Sequence, residues 1–359
     1  MEGHMAVINL ATKYAEKAVE RFYLESITDA AFDKSHDSEF VGVKTVRIYD
    51  IGTAPVNDYQ RSGTSRYGSV DELSDSIQEL QMTQDKSSTW SIDKGNQKEQ
   101  YNVKQAGETL QRQLREKYTP MIDKYRMQKW ADGAGIAKAL TAAPTKSTIV
   151  SAMLDAAAAL DDAGVPESGR MFFVPTSYYK HILLSDEFSK ADALMVKALG
   201  KGTVGELFGI PVKKVPTSYM PTDVYFMLIY KGAAVSPVKL HDYKINTEPQ
   251  GISGDLVEMR LMYDAFVLGT KASGIYIATA TGKVATTPTI AFASNVMTLT
   301  GDEGATFVYT TDGSDPRYSK RAVTYSSTSK PTIEAGATVK AAATKSGVYQ
   351  SGVAEKVNS

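Results

Sequence analysis

Cysteine is absent from this chain of 359 residues, histidine occurs four times and tryptophan twice. Without cysteine there are no disulfides, thiolate metal sites or thiol nucleophiles, so stability has to come from packing or assembly, as suits production in the cytosol. The four histidines (His4, His36, His181 and His241) show no His-x-x-x-His or comparable spacing, and no Gly-x-Ser-x-Gly elbow occurs. Metal-dependent and serine-triad catalysis therefore lack their residues, and no cofactor is expected. An excess of charge is missing too: 40 Lys and Arg face 41 Asp and Glu, the net charge is −1, and no run of five like charges occurs. No long-range field attracts nucleic acid to the molecule as a whole. The longest strongly apolar run, Val224 to Tyr230, is far short of the roughly 20 residues that cross a bilayer. The amino end lacks a basic segment followed by an apolar one, so no signal peptide is expected. Met1 to His4 is open to two readings, a remnant of expression ahead of a natural start at Met5 or the native beginning.

What is present is a globular composition, 42% apolar and 23% charged, on a chain too long for one ordinary core; two or three domains are expected. From Asn9 to about Asp33, Leu10, Tyr14, Ala18, Phe22 and Leu24 form a helical stripe. Residues 40–51 alternate as a strand with one buried face. Residues 52–104 are then poor in apolar side chains, with one short alternating run at Thr89 to Ile92. A polar connection of that length is anomalous inside a compact domain and is expected to order against something outside its own domain. An extended arm of even 15 residues reaches roughly 50 Å.

A long helix follows, carried by Leu110, Leu114, Tyr118, Met121, Ile122, Tyr125 and Trp130, with Pro120 expected to kink or restart it and Gly133 and Gly135 closing it. A second helix spans 147–160 with Gly164 as its stop, then a strand at 170–174 and a helix that Thr176 or Ser177 would cap. Residues 203–212 read as one strand with two glycine breaks, Val224 to Tyr230 as a buried strand, and Leu256 to Ala280 as strands completing a mixed sheet. The alternation is that of an α/β or α+β layer. After a Thr-, Ala- and Gly-rich stretch at 279–288 come short strands at 289–292, 296–299, 306–311 and 339–343, with Asp312-Gly313 and Asp315-Pro316 as turn signals. That is the pattern of a small β-sandwich.

Several pieces in this order resemble the tailed-phage major capsid proteins of the HK97-like fold. They are Trp90-Ser91-Ile92-Asp93-Lys94-Gly95, Phe172-Phe173-Val174-Pro175 before Tyr178, Gly205 to Val212, and Lys231-Gly232-Ala233-Ala234. The resemblance implies an α+β capsid fold: an amino-terminal arm (1–35), then a core (36–283) with an E-loop at about 52–104, spine helix at about 105–132, A domain at about 145–235 and returning P-domain strands at about 236–280. Residues 284–359 resemble instead the immunoglobulin-like carboxy-terminal domain of chitobiase and hexosaminidase type, through Val308 to Pro316, Tyr325 and Thr338 to Ala343. That implies an all-β sandwich without an active site.

What these resemblances imply is a non-enzymatic virion protein, assembled in the bacterial host cytoplasm into an icosahedral shell. Its partners would be copies of itself as hexamers and pentamers, portal and scaffolding proteins, and packaged dsDNA held without sequence specificity; no membrane is involved. The sandwich would face outward, with host-surface or mucus glycans as possible ligands. Candidate assembly contacts are Arg61, Arg66, Lys86, Trp90, Asp93, Lys94, Gly200, Lys201 and Gly202. Trp90, a large aromatic in a polar arm, reads either as an anchor in a neighbour's pocket or as an ordinary core residue. Arg61, Arg66 and Lys86 read as a solvated face or as ion-pair partners across subunits. Gly200-Lys201-Gly202-Thr203 lacks the full phosphate-loop pattern, because Gly follows the lysine, and reads as a flexible loop. On the tail, Tyr309, Tyr318 and Tyr325 offer stacking surfaces, while Asp312 and Asp315 suit a turn more cheaply than calcium. Alternative readings are a carbohydrate-binding surface protein, resting on the tail alone, and an encapsulin-like compartment.

Overall fold

The computed structural model describes residues 25–34, 45–51, 56–62, 66–68, 75–93, 106–185, 205–247 and 249–359. In chain order the first elements are strands β1 (Thr45–Ile51), β2 (Asp75–Gln81) and β3 (Gln84–Asp93), then helices α1 (Ala106–Gln113) and α2 (Thr119–Asp132). Strand β4 (Ile136–Ala139), helix α3 (Ile149–Asp162), strand β5 (Arg170–Pro175) and helix α4 (Thr176–Leu183) follow. Next come β6 (Glu206–Leu207), β7 (Ile210–Val215), β8 (Val224–Tyr230), β9 (Ala234–Val235), β10 (Val238–Thr247), β11 (Gly254–Tyr263), β12 (Phe266–Val267) and β13 (Ile275–Thr279). The tail holds β14 (Thr289–Ala293), β15 (Val296–Thr300), β16 (Thr306–Thr310), β17 (Val323–Thr324), β18 (Thr338–Thr344) and β19 (Ala354–Val357). The chain divides into two compact units, one taking in residues 83–123 and 238–264, the other residues 27–82, 124–237 and 265–359, and one of the crossings between them falls inside α2 between residues 123 and 124.

In one unit, β10, β11 and β3 form an antiparallel sheet in that order. Val257, Met259, Leu261 and Tyr263 are all buried, the period-2 face of a strand covered on one side. Of the polar stretch 52–104, β3 is thus a full ladder partner of β11, longer than the four-residue run expected. Gly254 permits the pairing: a Cβ there would sit 2.0 Å from the Ile92 carbonyl oxygen. Between α1 and α2 the chain makes one π-helical turn, Leu114–Tyr118. Pro120 has no N–H to return to residue 116, and the ladder widens by one residue, with the Thr119 N–H reaching the Leu114 carbonyl. The expected kink is this π-turn.

The other unit is built on a six-stranded mixed sheet, β4-β13-β8-β5-β7-β6, flanked by the two-stranded β1–β2 ribbon and the short β9–β12 pair. Apolar cores lie on both faces. Phe226 and Leu228 of β8 face one core with α3 and α4, while Met227 and Ile229 face the other with Met127 and Trp130 of α2. Burial on both faces is why 224–230 reads as an unbroken apolar run. Arg170 closes α3: its guanidinium donates to the carbonyls of Ala157, Val165 and Pro166 and pairs with Asp161. Gly164 lies at φ +68, the expected left-handed stop.

Four expectations are corrected. The stretch around 203–212 is not one strand but a hairpin, β6 and β7, whose two turn residues Phe208 and Gly209 have φ 56 and 72. Helix α4 has Pro175 at its cap with no side-chain cap bond; Thr176 Oγ1 is 3.0 Å from Thr217 Oγ1 instead. Strands in 256–280 divide between two sheets, β11 in one and β13 in the other. Of the helix expected over 9–33, residues 9–24 lie outside the described residues, and 27–33 form turns, with Asp33 bridging to Val235.

In the tail, β14–β15 and the sheet β17-β16-β18-β19 enclose Ile290, Met297, Leu299, Ile333, Val339 and Ala341. Strands β17 and β19 were not legible as strands, the first being two exposed residues and the second lacking alternation.

Candidate functional site

Two regions are candidates for a functional site: the strands leading into and out of the polar stretch, and the junction of the tail with the core. On the first, Lys86 is exposed on β3, an edge strand of its sheet. Asp85 is held by Arg260 of β11 through two bonds of 2.9 and 2.5 Å. Trp90 is half-buried within its own unit, with Nε1 donating to Thr109 Oγ1 at 3.2 Å, and Ser88 Oγ lies 2.7 Å from Tyr118 Oη. Trp90 therefore covers α1 in its own subunit. Asp93 ends β3 opposite Gly254. Arg61 and Arg66 are exposed, and between them the Gln60 N–H donates to the Arg66 carbonyl. Lys94, Gly200, Lys201 and Gly202 lie outside the described residues.

Tyr59 and Tyr67 were missed by the sequence reading. Their rings meet edge to face at 5.2 Å while remaining 54% and 84% exposed, with Val56 fully exposed nearby in sequence. An aromatic pair bordered by arginines has the composition of an interface anchor. Its only sequence signal is two tyrosines among polar neighbours.

The second region is a buried junction between tail and core. Past the end of α2, the carbonyls of Gly133, Ala134 and Gly135 point beyond the helix ladder, at the negative end of its dipole. Three tail side chains meet them: Tyr318 Oη donates to Gly133 at 2.7 Å, Gln350 Nε2 to Ala134 at 3.1 Å, and Arg317 Nη1 to Gly135 at 2.9 Å. Gln350 also donates to Tyr318 Oη at 2.8 Å, and Arg317 to the Ser351 carbonyl at 3.1 Å. Asp315 orients Arg317, with Nη2 to Oδ2 at 2.7 Å. Burial alone would lower the Arg317 value, but the hydrogen bonds it donates to Asp315 outweigh it and the guanidinium is held more firmly charged. Burial pushes the Tyr318 phenol up to about 12. Asp315 and Tyr318, expected on a tail surface, thus belong to this junction. Asp312 shapes its turn by accepting from the Ser314 N–H at 3.0 Å, and Gly313 takes φ +80. Tyr309 and Tyr325 are half-buried, and Tyr325 packs on Phe307 at 6.4 Å. Among the described residues no cluster of three or more metal-ligating side chains occurs.

No curated protein matches the chain. A family profile described as Fn3 associated matches residues 297–357. Among solved structures, a chain from the capsid of cyanophage P-SCSP1u aligns with a TM-score of 0.57 at 12% identity, covering 75% of this chain and 92% of that one. A chain from the mature capsid of bacteriophage PhiM1 aligns at 0.55 and 9% identity, covering 76% and 92%. One from Mycobacterium phage Che8 aligns at 0.56 and 19% identity, covering 76% and 98%. The chain has the mixed α+β fold of phage capsid proteins, with an Fn3-associated segment at its carboxy-terminal end.

Proposed function

We propose that this chain is the major capsid protein of a tailed bacteriophage, HK97-like in its subdomains, which self-assembles as hexamers and pentamers into an icosahedral head enclosing dsDNA. The observation that carries the reading is a fold shared with a chain of a solved phage capsid over 92% of that chain's length. The near-zero net charge suits enclosing DNA without gripping it, and the role is structural, not enzymatic. Portal and scaffolding proteins are its further partners, and the virion, built in the host cytoplasm, is its location. The carboxy-terminal domain is an immunoglobulin-like sandwich facing outward. If it meets glycans, Tyr309 and Tyr325 are the rings left for them, since Tyr318 is held in the junction.

In this reading residues 52–104 act on a neighbouring subunit, with Arg61, Arg66, Tyr59 and Tyr67 toward the partner. Deleting residues 56–74, which spares β2 and β3, is expected to leave a soluble subunit that sediments as a monomer where the intact chain forms particles. Normal particles from the deletion variant would remove the assignment.

A further inference from the structure

The turn 315–320 does more than join the tail to the end of α2. From the same turn, the Lys320 N–H donates to the Ile77 carbonyl of β2 at 3.2 Å, and Lys320 Nζ reaches Glu79 Oε2 at 2.7 Å, an oxygen that also takes Arg47 Nε of β1 at 3.1 Å. The hydrogen bond from Lys320, then that from Arg47, hold the Glu79 carboxyl below its ordinary range. Strand β2 is fixed to the core a second way: Gln78 donates to the Val267 carbonyl at 2.7 Å and accepts from the Gly269 N–H at 2.8 Å. Gly269 is also where Tyr318 seats. A Cβ on Gly269 would lie 2.7 Å from Tyr318 Cβ and 3.0 Å from its Cγ, and the three nearest atoms all belong to that side chain. Tyr349 of the tail is part of the apolar core that holds Trp130 and Phe173, and its hydroxyl donates to the Thr222 carbonyl at 2.7 Å.

We propose that the carboxy-terminal domain is an intramolecular clamp: its 315–320 turn holds the β1–β2 ribbon and the end of α2 together, so that the ribbon framing residues 52–74 is fixed on the core by the tail. A two-stranded ribbon is marginal alone, and β2 draws anchors from the core through Gln78 and from the tail through Lys320. The glycine at 269 leaves room for the tail's tyrosine on the core side, so the socket and the wedge are both present. A tail that merely decorated the surface would have no need of a buried arginine on three core and tail acceptors. The proposal stands apart from shell formation, since every contact lies within one chain.

The test is hydrogen exchange on the full-length chain, comparing wild type with Gly269→Ala, which pushes on Tyr318, and with Lys320→Met, which removes the Glu79 contact. The clamp predicts amide exchange in residues 75–81 faster by roughly tenfold in both variants, as expected when a locally anchored segment opens independently. Exchange in 133–135 should rise in Gly269→Ala alone, and the central strand 224–230 should keep its wild-type rates. Unchanged exchange in 75–81, or an equal rise in every strand including 224–230, would overturn it. Because Lys320 is half exposed and its replacement leaves the core intact, that variant decides the matter should Gly269→Ala fail to fold.

Discussion

Three buried arginines organise this molecule residue by residue. Arg126 donates to Ser236, Thr28 and Asp29 and lies 4.4 Å from the Phe32 ring, Arg170 closes α3, and Arg317 meets the carbonyl beyond α2. None was legible in the sequence, because arginine is ordinarily a surface residue and only the fold reveals which carbonyls lack partners. Tyrosine tells a similar story. Burial raises the phenols of Tyr276, Tyr318 and Tyr349 each to about 12, against an ordinary value of ~10. The folded chain therefore keeps protons that the unfolded chain releases, so this stability is complete below pH ~10 and is lost as pH rises toward ~12, by about 1.4 kcal/mol per pH unit for each such proton. Urea midpoints are expected to fall steeply between pH ~10 and ~12. Tyr318→Phe should start lower, having lost the bond to Gly133, yet fall less steeply; parallel curves would contradict the assignment.

At the scale of elements, period and punctuation located most of the core: β5, β8, α3 and the tail strands β14, β15, β16 and β18 stand within two residues of where alternation or helical phase put them. The misses have physical causes. In β6–β7, Phe208-Gly209 occupies a turn that asks for positive φ at both central residues, a place where Asn-Gly is the usual signal. A phenylalanine there concealed the hairpin. With Phe208 45% exposed at φ 56, Phe208→Asn is expected to stabilise the chain by about 1 kcal/mol, since asparagine accepts the left-handed region at less cost. A thermal melt reads this directly, and a lower midpoint would mean that the ring contributes packing the turn geometry does not reveal. Strand β2 and most of β3 were concealed differently: polar side chains dominate both, so beyond the short run at Thr89 to Ile92 the composition of 52–104 reads as loop although residues 75–93 hold two ladders. The junction was illegible because its acceptors are main-chain carbonyls, which no side chain advertises.

For the whole molecule, the order of its parts carried the functional reading. The described helices and sheets have the mixed α+β fold of phage capsid proteins. The tail, legible as a separate β-rich region by its change of composition, is joined to the core by buried polar bonds and by Tyr349. Composition reports a boundary; it does not report whether two regions share an interface. An assembling subunit gains from such internal fixing, because each ordered contact then costs less entropy when the lattice forms. The most direct measurement is electron microscopy of the purified full-length protein, co-expressed with its scaffold if it does not assemble alone. The capsid reading predicts closed shells or capsomer rings of repeated subunits. Monomers under every condition would contradict it.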